Sequence, residues 1–162
     1  MPSSVRTNRE FLEVYNRQVD TVYRICFSFM KHHADAEDLT QETFLKLLNS
    51  GKIFENEKHE KAWLIVTASN LCKDALKKWW RRWEDIGAYE NLPAPNGETD
   101  CTVYEAILRL KPDYKTAVYM FYYEGYTTAE IANYLSCPES TVRSRLKRAR
   151  VQLYSMLGGD LQ

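Results

Sequence analysis

Two helix starts stand nine residues apart in the C-terminal part of this 162-residue chain, one at Thr127 with Glu130 and the other at Ser136 with Glu139. Each fits a capping box, in which a Ser or Thr side chain and a Glu three residues on satisfy amides left unpaired in a helix's first turn. So close a spacing leaves room for a short helix, a tight turn and a second helix. The first can bury Ile131, Ala132 and Leu135. Pro138 is tolerated at the start of the second, where an amide hydrogen has no helical partner to lose. A helix-turn-helix fits this layout, and that motif offers its second helix to a DNA groove.

On the second helix Val142, Leu146, Ala149 and Leu153 recur at i, i+4, i+7 and i+11, one narrow apolar stripe at about 100° per residue. Ser140, Ser144, Lys147 and Arg148 point away from it, and Arg143, Arg145 and Arg150 flank it. Residues 139–150 carry five basic side chains and one acidic one, Glu139. Phosphates and guanine edges attract that charge. A solvated amphipathic helix is the competing reading of any charge run, and the matched caps and turn weigh against it.

The chain is 44% apolar, enough for two modest cores. No apolar run approaches the roughly 18 to 20 residues of a membrane span, and the first residues lead into an amphipathic pattern, not a signal sequence, so a cytoplasmic protein without membrane insertion is expected. Cys26, Cys72, Cys101 and Cys137 are far apart and lack zinc spacing, and read as reduced, packing thiols. His32, His33 and His59 suggest neither a metal site nor a catalytic base. No phosphate loop or nucleophile motif is present, so neither cofactor, metal nor enzymatic activity is expected.

The net charge of zero conceals a strong division along the chain. Residues 1–60 sum to −2, 61–83 to +5, 84–138 to −6 and 139–162 to +3. Two basic blocks in different halves suggest two separate contacts with nucleic acid.

Helical periodicity predicts a long first helix over about 8–30 and a second over about 35–49, ended by Ser50-Gly51. The second buries Ala36, Leu39, Thr43, Phe44 and Leu47, and shows Asp35, Glu37, Asp38, Gln41 and Glu42 on its other side. A third helix is expected from near Lys61, with Leu64, Ala68, Leu71, Ala75 and Trp79 lining its inner side. Val66, Ser69, Asn70, Lys73, Lys77, Trp80 and Arg81 face outward. Such a mixture suits a single strand, whose bases stack and whose phosphates need neutralising; it equally suits a solvated basic helix with Trp80 tucked against a neighbour. From Glu84 onward the pattern breaks into a Pro- and Gly-containing acidic stretch, read as a linker. Four further helices follow, over about 102–110, 112–123, 128–135 and 138–157.

In this order the segments resemble the sigma factors of the extracytoplasmic-function (ECF) group, within the sigma-70 family of bacterial promoter-recognition subunits. Asp35 to Lys46 resembles region 2.2, Ala62-Trp63-Leu64 through Asn70-Leu71-Cys72-Lys73-Asp74 resembles regions 2.3 and 2.4, and Tyr126 to Ala132 with Ser140 to Arg150 resembles region 4.2. The resemblance implies an all-α fold of two small helical domains. These are a region 2 domain over 7–83, with three or four helices, and a four-helix region 4 domain over 102–157, joined by a flexible linker over 84–101.

It also implies roles. Asp38, Gln41 and Glu42, which residue pattern alone would leave as a solvated face, match positions that dock on the β′ clamp helices of core RNA polymerase; the β flap is a further expected contact. The loop over 54–61, with Asn56, Lys58 and Lys61, matches the one that captures a base flipped from the minus-ten element. Asn70 and Lys73, with Lys77 beyond them, match the face turned to the opened strand. Ser140, Arg143, Ser144, Lys147 and Arg148 match the readers of the duplex minus-thirty-five element. Arg145 and Arg150 are left to phosphate contact or packing. Ser69 stands where many relatives carry a basic residue, and the run from Lys77 to Trp83 is richer in tryptophan than usual. With no appended domain expected, a separate anti-sigma protein is the implied regulator. A dimeric helix-turn-helix regulator binding duplex DNA without polymerase is the alternative.

Overall fold

The computed structural model describes residues 7–86 and 103–158. Among these every regular element is helical: α1 Asn8–Met30, α2 His33–Ser50, α3 Glu57–Ile86, α4 Val103–Leu108, α5 Pro112–Val118, a π turn Tyr119–Tyr123, α6 Thr128–Leu135 and α7 Glu139–Met156.

The N-terminal half is a three-helix unit in which α1 packs on both α2 and α3. Helix α1 opens on a complete capping box, with the Glu10 amide donating to Thr7 Oγ1 at 3.2 Å and the Thr7 amide to Glu10 Oε2 at 3.0 Å. Val14, Val22, Ile25, Cys26 and Phe29 of α1 meet Ala36, Leu39, Phe44 and Leu47 of α2 and Ala62, Leu64, Ile65, Ala68 and Cys72 of α3 in one apolar core. Helix α2 ends at Gly51, whose φ of 63° is the left-handed geometry that favours glycine at a helix terminus. Thr40 and Thr43 are buried among these apolar side chains, each hydroxyl donating to the carbonyl four residues back at 2.7 Å.

Helix α3 begins four residues before the expected start near Lys61. The reason is Asn56, whose Oδ1 accepts from the His59 amide at 2.8 Å and caps the first turn, while Glu57 and Glu60 complement the positive end of the helix dipole. Most of the expected 54–61 capture loop is therefore helix. At its far end α3 runs to Ile86, into the stretch read as linker; residues 87–102 lie outside the described residues, as do the side chains of Trp80, Arg81 and Trp83.

The start of α3 is clamped onto α1. Glu60, 6% exposed, accepts from Arg17 Nη2 at 2.9 and 3.1 Å and from Gln18 Nε2 at 3.2 Å. A buried carboxylate is tolerated when a guanidinium fork and a further donor satisfy it in this way.

In the C-terminal half the expected helix over 112–123 divides. Helix α5 passes into the π turn, where the Glu124 amide donates to the Tyr119 carbonyl (3.2 Å) and the Tyr126 amide to the Met120 carbonyl (3.0 Å). Helices α5 and α6 both pack on α7, which buries Val142, Leu146 and Ala149 of the expected stripe.

The two halves are not spaced apart: α5 and α6 rest on α3, and α4 and α5 touch α1, so one apolar cluster runs through both. At the seam Lys115 is 5% exposed, and its ammonium donates to the Ser28 carbonyl at 2.6 Å, 5.3 Å from the Phe29 ring centre. Burial, reinforced by the charge of Lys31, pushes its pKa down from 10.5 to about 7. The sign follows from linkage. Between about 7 and 10.5 the unfolded chain keeps a proton that the folded one has lost, so this group's contribution to stability rises with pH across that window and is flat below it. Lys115→Met should therefore stabilise most at pH 6, with the gain shrinking towards pH 10; parallel melting profiles for variant and wild type would show that the buried ammonium is not the source.

Candidate nucleic-acid interface

The helix-turn-helix is assembled by capping and by one shared carboxylate. At the start of α6 the Thr127 box is present, with the Glu130 amide donating to Thr127 Oγ1 and the Thr127 amide to Glu130 Oε1, both at 3.1 Å. The expected second box is not. Ser136 is the left-handed terminus of α6 (φ 53°), and the Cys137 amide reaches back to the Ala132 carbonyl at 3.0 Å. Pro138 stands at the N-cap of α7, without a side-chain cap. Glu139 instead accepts from Thr128 Oγ1 at 2.7 Å and pairs with Arg143 at 3.1 Å. The carboxylate thus ties α6 to α7 and steadies an arginine of the exposed face.

Ser140, Arg143, Ser144, Lys147 and Arg148 are all exposed along one side of α7, as the sequence predicts. Beside them lies a shallow groove that Lys111, Asp113 and Tyr114, from the start of α5, line together with Ser144, Arg145 and Arg148. The α5 residues were not foreseen, because only the packing of α5 on α7 brings them alongside. Arg150 donates to the Tyr122 hydroxyl at 3.1 Å, which favours a packing role for it.

The second basic face, on α3, is only partly open. Asn70 and Lys77 are exposed. Ser69 is not: at 1% exposure it is turned into the core, a correction to its expected outward position, and its hydroxyl has no hydrogen-bond partner among the described residues. Trp79 departs in the other direction, 46% exposed where an inner position was expected. Asn56 spends its side chain on the α3 cap. Lys58, Lys61 and Lys73 all reach carboxylates of the C-terminal half: Glu130 at 2.8 Å, Glu124 at 3.1 Å and Asp113 at 3.0 Å.

On α2 the exposed acidic face is as expected. Asp35 and Glu37 lean on His32 and His33 at 3.5 and 2.9 Å, leaving Asp38, Gln41 and Glu42 exposed outside those pairs. One turn further Leu45 and Leu48 are 54% and 42% exposed, extending this face with apolar surface. Continued i+3/i+4 spacing from Gln41 was the available signal for them.

Residues 14–82 match the family model for sigma-70 region 2, and residues 102–153 match that for sigma-70 region 4. The ECF RNA polymerase sigma-E factor of Haemophilus influenzae is 32% identical over 72% of this chain and 71% of its own length. The chain belongs to the ECF sigma factors. The ECF RNA polymerase sigma factor SigE of Mycolicibacterium smegmatis is 33% identical over 90% of this sigma factor, which spans 60% of that relative's length. In fold the sigma factor resembles RpoE of Bartonella quintana, crystallised with the anti-sigma factor NepR, with a TM-score of 0.68 at 24% identity, covering 94% of this chain and 99% of that one.

The region 4 domain of this sigma factor gives a direct test of its turn. Thr127→Ala should lower unfolding free energy by about 1 kcal/mol through loss of an N-cap. Ser136→Ala should change it by less than about 0.5 kcal/mol; equal losses in chemical denaturation would mean that Ser136 caps α7 after all.

Proposed function

We propose that this sigma factor docks on the β′ clamp helices of core RNA polymerase through Asp38, Gln41 and Glu42 of α2, with the β flap as a second contact. It then directs the polymerase to promoters by two readings. Arg143, Ser144, Lys147 and Arg148, with Ser140 at the entrance, read the minus-thirty-five duplex in the major groove. The α3 face of Lys58, Lys61, Asn70, Lys73 and Lys77 receives the opened minus-ten strand, and Asn56 shapes that site by capping the helix that carries it. Two basic faces on separate helices, α3 and α7, within matched region 2 and region 4 units carry this reading. A dimeric duplex-binding regulator would have no use for the first of them.

The role is binding rather than catalysis, in the cytoplasm where core polymerase resides. Among the described residues no helix is long and apolar enough to cross a membrane. A structural neighbour was crystallised with an anti-sigma factor, which supports an anti-sigma protein as the partner that holds this one in check.

Run-off transcription with core polymerase and a promoter selected from genomic DNA tests the whole reading; no stimulation over core alone would overturn it. Asp38→Ala with Gln41→Ala should abolish co-purification with core polymerase while leaving the melting temperature in place. Arg143→Ala with Arg148→Ala should spare polymerase binding and weaken discrimination at the upstream box, by about 1–3 kcal/mol for each bidentate hydrogen-bonded pair with a base that is removed. Unchanged promoter choice in that variant would displace the reading face from α7.

A further inference from the structure

Helix α7 is flanked on two sides by other helices of the C-terminal half. Its buried stripe, Val142, Leu146 and Ala149, faces inward. At about 100° per residue, Ser140, Ser144 and Lys147 lie opposite that stripe. Glu139 and Arg143 lie to one side, where Glu139 accepts from Thr128 of α6 at 2.7 Å. Arg145 and Arg148 lie to the other, where α5 packs on α7. The exposed face of α7 thus runs between an α6 edge and an α5 edge.

A helix in a major groove has matching surroundings. That groove is about 12 Å wide with a phosphate backbone along each side, so a helix of about 10–12 Å diameter brings its flanks up to both strands. Residues in the middle meet bases, and residues at the edges meet phosphate.

The α5 edge has the chemistry for such a contact. A shallow groove separates it from α7, with Lys111 and Tyr114 on one wall and Ser144, Arg145 and Arg148 on the other. It continues past Tyr114 and Arg148 to Lys147 and Gln152. Hydroxyls and cations are the donors that phosphate oxygens accept from. Lys111 is exposed, and its ammonium lies 5.9 Å from the Tyr114 ring centre. Among the described residues it has no carboxylate partner. Asp113 also lines the groove, but Lys73 holds it at 3.0 Å. That bond first, and then the charges of Arg145 and Lys77, keep its carboxyl well below the usual carboxylate range. Its charge is therefore matched within the protein, and the other charged side chains there, Lys111, Arg145, Lys147 and Arg148, are all cationic.

We infer that the groove between α5 and α7 is a phosphate-binding edge for the upstream promoter duplex, in which Lys111 and Tyr114, with Arg145 opposite, grip one strand's backbone while α7 reads the bases beside it. The inference rests on α7 being the helix that reads the duplex. Phosphates carry no base identity, so this grip is uniform across sequences. Lys111 and Tyr114 set the register in which α7 enters; Arg143 and Arg148 set which bases are accepted.

The test is binding of holoenzyme to a fluorescein-labelled promoter duplex, followed by anisotropy across a salt series. Lys111→Gln should weaken binding about fivefold at about 0.15 M salt and lower the slope of log affinity against log salt by about 1. Lys111→Arg should restore both, which a packing role would not predict. Tyr114→Phe, which removes only the hydroxyl, should weaken binding about threefold; unchanged affinity would remove Tyr114 from the grip. The Lys111→Gln loss should be the same for every single base-pair change in the upstream box, and absent on a template whose duplex begins downstream of that box. A loss that varies with the base, a loss that persists on the shortened template, or an unchanged salt slope overturns the inference. Arg143→Ala with Arg148→Ala separates it from the reading on which it rests. If that variant keeps its promoter choice, α7 is not the reader and the α5 edge falls with it. If it loses promoter choice while Lys111→Gln binds as wild type does, the α5 edge alone falls.

Discussion

The hydroxyl of Tyr126 donates to the main-chain carbonyl of Lys58 at 2.7 Å, and much of the arrangement of this protein depends on that bond. The tyrosine is 2% exposed, and its ring meets Tyr134 edge-on while the Lys58 ammonium lies 5.2 Å from its centre. Burial first, and then the nearby Glu124 charge, push its pKa upward, so the hydroxyl stays a donor throughout the physiological range. A buried phenol must have a partner. Here the partner is a carbonyl in the first turn of α3, and satisfying it places α6, the π turn and α3 around one point.

The two basic helices, α3 and α7, are steadied by different means. On α7 Arg143 is held from within the helix-turn-helix, through the Thr128–Glu139–Arg143 chain, and the basic face remains exposed. On α3 Lys58, Lys61 and Lys73 are held from outside, by carboxylates of the C-terminal half. The faces are thus unequal in the free chain, one presented and one engaged.

Much of this was legible in the residues. The stripe of Val142, Leu146 and Ala149, the acidic side of α2 and the Thr127 box depend on neighbours three or four positions apart, and periodicity reports those. Ser136 with Glu139 has the same local pattern as Thr127 with Glu130, yet Ser136 closes α6 in a left-handed turn and Glu139 is taken by Thr128; competition between partners decided the outcome, and spacing does not reveal it. Asn56 extended α3 by a cap that the polar run around it concealed. Ser69 fell on the expected outer side yet is buried, on a helix that packs against α1, α2, α5 and α6 rather than on one side alone. The seam was illegible altogether, since Lys58, Lys61 and Lys73 find acids at separations that carry no periodic signal.

The clamp of Arg17 and Gln18 on Glu60 lies one residue from Lys61 and two from Lys58, yet it belongs wholly to the N-terminal half. A single turn of α3 therefore contains one joint within the N-terminal half and two that cross to the other half. Glu60 holds the helix start to α1 from within that half, while Lys58, Lys61 and the Tyr126 hydroxyl tie the same turn to the C-terminal half. The seam thus adds side-chain contacts to a turn whose place on α1 is already set, and the register of α3 against α1 owes nothing to the C-terminal half.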